Sequence, residues 1–478
     1  MPIASPEPRW HDHVDIGIVG AGGCGLAAAL AAAQPDVKIA VWERAKVPGG
    51  NTALTDGAIP AAGTRFQRDS GLVDTAEDFA QDVFSRNGGQ SDSALTHRIC
   101  GASAAVVEWL ADQIGVGFEL ERFMRRTGHR QYRMHAVESH TGSSLVDHLV
   151  SRIGKQRSVT LRLGTPVLDL WQQPDGSVVG LQIKLPKKSP TNVHCQALIL
   201  ACDGFGANSE LVKQHCPAIA GAAYAGVATQ MGDALRWGTA LNAACDQLDS
   251  FHAHPTVALG SNYVLPSTLI GLGAIIVNQH GKRFVNEAGD LAAVAEHVRR
   301  QPGHLAYEVF DARILKIAQL HDPRFENEIV PRALRRAADI ADLAKQFQLD
   351  AQALLATIEE YNAIAGRAPD AFGRLSEGEP MTPPFYGARI TGALLATQGG
   401  LRIDTSARVL RADGKPIANL YAGGGAAVGL SGPGGEGYLP GMGLLCALGW
   451  GKIAGEEAAR SVLASRAAGA PEPSPVES

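Results

Sequence analysis

The residues best able to do chemistry in this chain sit in glycine loops. Val14-Asp15-Ile16-Gly17-Ile18-Val19 is an apolar, partly β-branched run, followed by Gly20-Ala21-Gly22-Gly23-Cys24-Gly25 and the helix-forming stretch LAAALAAAQ. That order reads as strand, tight turn and helix. A second strand-like run, residues 37–42, ends at Glu43, 18 positions after Gly25. The spacing suits a dinucleotide. Gly20 permits the turn, Gly22 lets a pyrophosphate reach the main chain, Gly25 lets helix and strand pack, and the helix N-terminus offers amide donors. Glu43, at the tip of the second strand, can accept a hydrogen bond from a ribose hydroxyl.

FAD and NAD share this fingerprint, so the remaining loops must decide between them. In order they are Gly49-Gly50-Asn51-Thr52 with Gly57 shortly after, ALILACDGFGAN (197–208) with Asp203 at its turn, HAHPT (252–256), GKRFVNE (281–287), GGLRID (399–404) and NLYAGGGA (419–426). A long helix pattern then begins near Gly441. With these motifs the chain resembles the flavoprotein family of soluble fumarate reductases and 3-ketosteroid dehydrogenases from about residue 13 to 465. The resemblance implies FAD, held by Gly20, Gly22, Gly25, Glu43, Gly49, Gly50, Asn51, Thr52, Gly57, Asp203, Gly424, Met442 and Leu444. It also implies an α/β fold: a discontinuous Rossmann-like FAD-binding domain with an inserted α+β capping domain, and an active site at their junction. Attachment of FAD is expected to be noncovalent, because Asn51-Thr52-Ala53-Leu54 has no histidine where covalently flavinylated relatives carry one.

The resemblance also says which catalytic groups to look for. Fumarate reductases clamp a dicarboxylate with arginines and histidines and deliver a proton from an arginine. His254, in HAHPT, matches the substrate-side histidine. The other positions fall on Leu291, Ser267, Ile270, Ala396 and Tyr438. A dicarboxylate buried without guanidinium partners would cost several kcal/mol, so fumarate and succinate are disfavoured. A tyrosine in the terminal loop resembles the ketosteroid dehydrogenases, whose tyrosine hydroxyl and a glycine amide hold a ketone oxygen. Tyr438 with the amide of Gly441 or Met442 can polarise a carbonyl in that way. Leu291 stands where that branch keeps its base tyrosine, which leaves His254, Asp290, Tyr132 and Tyr263 as candidates. The polar segment 128–135 adds Arg133 and His135 as candidate contacts to an anionic or carbonyl-bearing substrate.

These residues need elements to hold them. Runs at 159–170 and 178–185, separated by Asp175-Gly176, predict a hairpin or meander returning to a buried strand at 197–201. From about 249 to 390 the composition turns to mixed helix and irregular segments, with a helical stretch at 333–365 and Pro383-Pro384 marking re-entry. The expected division is therefore 12–248 plus 391–466 for the FAD domain, 249–390 for the cap, and a disordered Pro/Ser/Glu-rich tail at 467–478.

Composition sets the outer bounds. At 478 residues the chain can bury a large core without disulfide or metal staples. Lys+Arg 43 against Asp+Glu 48 gives a net charge of -5, which offers no footprint for nucleic acid. Seven cysteines include no CxxC, no CxxCH and no ligand spacing, so neither a metal, a haem nor an iron–sulfur cluster is expected. No apolar run approaches the ~20 residues of a membrane span, and the protein is expected to be cytoplasmic. The leading functional reading is an FAD-dependent oxidoreductase acting on a carbon–carbon bond beside a carbonyl of a small molecule, with a separate electron acceptor. A fumarate-reductase-like reductase of an unsaturated acid, a flavin hydroxylase or oxidase, and a non-catalytic flavin scaffold are the alternatives.

Overall fold

In the computed structural model, which describes residues 3–4, 8–375 and 379–468, the first apolar run is strand β1 (Asp12–Val19), buried from Val14 onward. The glycine turn leads into α1 (Gly23–Ala32), where every residue but Ala31 is buried. A helix apolar on all sides must lie inside a core, and α1 does. Next come β2 (Ile39–Trp42), β3 (Ala58–Pro60), β4 (Met134–Val137), β5 (Val159–Arg162), β6 (Val167–Gln172), β7 (Val178–Ile183), β8 (Thr191–Leu200), β9 (Pro416–Ala422) and α2 (Met442–Ala467).

The main sheet has nine strands among the described residues. In it β8 runs parallel to β1, with Leu198 opposite Gly17, and parallel to β9, with Leu198 opposite Leu420. On its other side β1 pairs in parallel with β2, and β2 with β5. The expected meander takes a sharper form. β6 and β7 make an antiparallel hairpin around Asp175-Gly176, β7 pairs with β8, and β5 departs to the far side beside β2. Helix α2 crosses α1 closely: a Cβ on Gly451 or Gly455 would fall 2.3 or 2.2 Å from the carbonyl oxygens of Cys24 and Ala28. Only glycine allows that approach.

The chain forms two compact units. One comprises the described residues up to 217 with 226–251 and those from 396 on; the other comprises 218–225 and 252–395. The second unit takes in 218–225 because Ala223-Tyr224 pairs with Ala393-Leu394 of the long strand Phe385–Thr397. Its sheet continues through Ala306–Asp311 and Ile275–Val277, both antiparallel. The helical stretch expected at 333–365 is broken. Arg335–Ala337 is a strand paired with Phe385–Gly387, and two helices follow, Ile340–Phe347 and Ala351–Ile364, capped by Asp339 and Asp350. Of the tail expected from 467, α2 still covers Ala467, and the residues from 469 lie outside the described residues. All seven cysteines are free thiols. Among the described residues no helix is long and apolar enough to cross a membrane.

Candidate active site

The turn between β1 and α1 is fixed by contacts that leave no room for side chains. Gly20 has φ 105°, and a Cβ on Gly25 would lie 1.9 Å from the Gly20 carbonyl oxygen. Gly22 differs. The nearest protein atom to a Cβ there is the Gly49 carbonyl oxygen at 3.7 Å, so the space in front of it is open on the protein side. Glu43 ties the turn to β2: its Oε2 accepts the Ala21 N–H at 2.8 Å and its Oε1 the Ala45 N–H at 2.7 Å. Around this point a cavity is bordered by Gly20, Gly22, Glu43, Asp203, Val227 and Gln230. An open glycine at a helix start with a fixed carboxylate beside it fits a pyrophosphate and an adenosine ribose.

The second glycine loop is laced to the first. Thr52 Oγ1 accepts the Gly23 N–H at 3.1 Å, Gly49 N–H donates to the Ala21 carbonyl at 2.8 Å, and Asn51 Oδ1 accepts the Val227 N–H at 2.9 Å. Gly57, φ 72°, lies against Val137 and Thr141. Asp203 sits at φ 65° and accepts from the Gly204 N–H at 2.9 Å and from Gln230 Nε2 at 2.5 Å; burial raises its carboxyl pKa. Gly424 opens a short helical turn against Cys24.

Tyr438 lies just before α2, and its hydroxyl accepts the Gly443 N–H at 3.2 Å. Burial pushes this phenol up to about 12, with the Gly443 bond working the other way. At the same helix start, Met442 N–H donates to Leu439 O and Leu444 N–H to Gly441 O, both at 3.1 Å. The helix turn engages those two amides and leaves Gly443 facing the phenol. Gly441, φ 85°, is packed on Pro60 and Met134.

Several other expected residues are engaged elsewhere. The Arg133 guanidinium is fully buried, bonded through Nε and Nη2 to Asp74 at 2.6 and 2.8 Å and through Nη1 to Asp82, so it is a core ion pair and not a substrate contact. His135 is likewise a satisfied core side chain: Nε2 lies 2.8 Å from Thr64 Oγ1 and Nδ1 2.8 Å from the Arg133 carbonyl. Asp290 caps the helix Leu291–Arg299, accepting the Ala292 and Ala293 N–H groups at 2.8 and 3.1 Å. The Tyr263 hydroxyl donates to Glu328 at 2.5 Å and accepts from Arg332 at 2.7 Å, an arrangement in which the Glu328 bond raises the phenol pKa. Tyr132 is half-buried, and its carbonyl accepts from Gln67. In the second unit, His254 is buried with Nδ1 3.1 Å from Thr256 Oγ1, which hands its proton to the Leu265 carbonyl; burial pushes the imidazole down to about 4, so the ring is neutral. The sequence reading missed Asp56 and Arg126, which act electrostatically on Tyr438, and Glu121, which binds Arg126. The signal was an aspartate directly before Gly57 in the second glycine loop.

The FAD binding domain family model matches residues 15–437. The chain belongs to that family. It is 29% identical over 451 residues to the probable fumarate reductase Ifc3 of Shewanella frigidimarina, covering 93% of this chain and 75% of that protein. The open conformation of a flavocytochrome c3 fumarate reductase superposes with a TM-score of 0.82 at 28% identity, covering 95% of this chain and 79% of that one. A 3-ketosteroid-Δ4-(5α)-dehydrogenase from Rhodococcus jostii RHA1 shares the fold, with a TM-score of 0.72 at 24% identity over 94% and 97% of the two chains. The protein is thus an FAD-dependent oxidoreductase of the family that reduces C=C or oxidises CH–CH bonds.

Proposed function

We propose that this flavoprotein acts on a CH–CH or C=C bond conjugated to a neutral carbonyl, with a small cyclic ketone or enone as its class of substrate and a separate molecule as electron acceptor. The observation that carries the reading is the Tyr438 hydroxyl resting on the Gly443 amide at the start of a 26-residue helix. A hydroxyl that accepts from an amide at a helix start is strengthened as a donor to an oxygen that gains negative charge. A phenol raised to about 12 keeps that proton at any physiological pH. FAD, when bound, supplies the two-electron chemistry. Asp290 is engaged as a cap and Tyr263 by Glu328 and Arg332, so neutral His254 is the acid/base candidate left on the second unit. The experiment is anaerobic mixing of holoenzyme with cyclic ketones and enones while the flavin absorbance is followed. Tyr438→Phe should lower kcat about 10²- to 10³-fold, as for loss of one oxyanion donor. An unchanged kcat, or no flavin response to any such compound, overturns the reading.

A further inference from the structure

Three charged side chains that the sequence reading passed over form one cluster. Arg126 Nη1 donates to Asp56 Oδ2 at 2.8 Å, Nη2 lies 3.1 Å from both oxygens of Glu121, and Nε donates to Glu121 Oε2 at 3.3 Å. The side chains are 17%, 28% and 6% exposed for Arg126, Asp56 and Glu121. Burial works against the guanidinium's charge, and the two carboxylates more than offset it, so its pKa is raised. Tyr438 feels both Asp56 and Arg126 electrostatically. The segment carrying Arg126 also packs on the tyrosine's loop: His129 Nε2 is 2.9 Å from the Pro440 carbonyl, and a Cβ on Gly128 would fall 2.8 Å from Leu439.

A guanidinium is a ready receptor for a ligand carboxylate. Here the chain itself supplies the carboxylates. Glu121 holds the guanidinium through two of its nitrogens, and Asp56, the most open of the three, takes the remaining terminal nitrogen. We infer that Asp56 is a resident carboxylate that takes the place of a ligand carboxylate on Arg126 and so restricts the neighbourhood of Tyr438 to uncharged carbonyl compounds. Two carboxylates on one guanidinium leave a local charge of about -1, and a ligand carboxylate would add a like charge beside them. The restriction to carbonyl compounds rests on the proposed role of Tyr438; the occupancy of Arg126 does not.

The test uses FAD-loaded protein and three probes, acetate, crotonate and cyclohex-2-enone, with binding read from the visible absorbance of the oxidised flavin and from thermal shift. Asp56→Ala should bind acetate and crotonate at least tenfold more tightly than the unmodified protein, while its affinity for cyclohex-2-enone changes less than threefold. Asp56→Asn, which keeps the shape and removes the charge, should move in the same direction and serves if the alanine variant folds poorly. Adding Arg126→Gln to Asp56→Ala should abolish the gain. Carboxylate binding that does not tighten in either Asp56 variant, or a gain that survives loss of Arg126, overturns the inference. If the carboxylates tighten as expected but cyclohex-2-enone binds to no form of the protein, the Tyr438 reading fails and the role of Asp56 stands.

Discussion

Glu308 provides a test of the second unit's core that needs no substrate. Its side chain is completely buried in the middle of the strand Ala306–Asp311, and neither carboxyl oxygen has a hydrogen-bond partner among the described residues. Burial raises its pKa from 4.5 to about 8, with Arg374 pulling it down and Glu287 pushing it up. The folded protein therefore keeps this proton at neutral pH, whereas the unfolded chain releases it. Between the two pKa values the native state binds more protons than the unfolded one, so stability falls as pH rises. At about 1.4 kcal/mol per unit, the loss is under about 1 kcal/mol at pH 5, about 3 at pH 7 and about 5 above pH 8. Glu308→Gln cannot ionise and removes this slope. Any cost of placing an amide in the same site is the same at every pH, so the change in ΔΔG with pH isolates the ionisation. Urea denaturation of both proteins at pH 5, 7 and 8.5 should show the variant gaining several kcal/mol relative to the parent across that range. A ΔΔG that is flat with pH would refute the buried, protonated Glu308.

Gly22→Ala should leave the fold intact, because the nearest protein atom to the new Cβ is 3.7 Å away, yet weaken FAD at least tenfold by occupying the ligand's space; flavin retention on gel filtration together with circular dichroism checks both halves. Arg133→Met strands Asp74 without its cation and leaves Asp82 paired with Arg130 alone, and the loss should be about 3 kcal/mol in chemical denaturation, with catalytic constants of the surviving folded fraction little changed. Acid precipitation should leave the yellow colour in the supernatant, since the segment 51–54 carries no histidine to bond the flavin; a yellow pellet would contradict noncovalent attachment.

What the sequence revealed follows the range of the contacts involved. The first glycine turn was legible because Gly25 is forced by the Gly20 carbonyl and Gly20 by its own φ of 105°, and Glu43 closes it from the adjacent strand, although the Ala201 carbonyl that also crowds Gly20 comes from far along the chain. Tyr438 was singled out by the resemblance of the terminal loop, whereas the Gly443 amide that donates to its hydroxyl could have been found from helix-start hydrogen bonding. Asp290 was misread in a way the sequence could have prevented, since an aspartate directly before an apolar helical run is an N-cap signal. The helical stretch at 333–365 failed because Arg335–Ala337 is held as a strand by Phe385–Gly387, about fifty residues away, and such pairing overrides local propensity.

The same rule explains the errors that bear on substrate. The polar segment 128–135 looked free to meet a ligand, but Arg133 is claimed by Asp74 and Asp82, 59 and 51 positions earlier. Arg126 is claimed by Asp56 across 70 positions. A basic side chain counts toward anion binding only after the carboxylates folded against it have been subtracted, and no single local motif carries that subtraction. The cofactor site, built from backbone and glycine, can be read one loop at a time. The substrate preference depends on which charges cancel across the chain, and in the first unit both of these arginines are already answered by carboxylates. Under the proposed role of Tyr438, a neutral oxygen acceptor is the ligand group that matches this balance of charges.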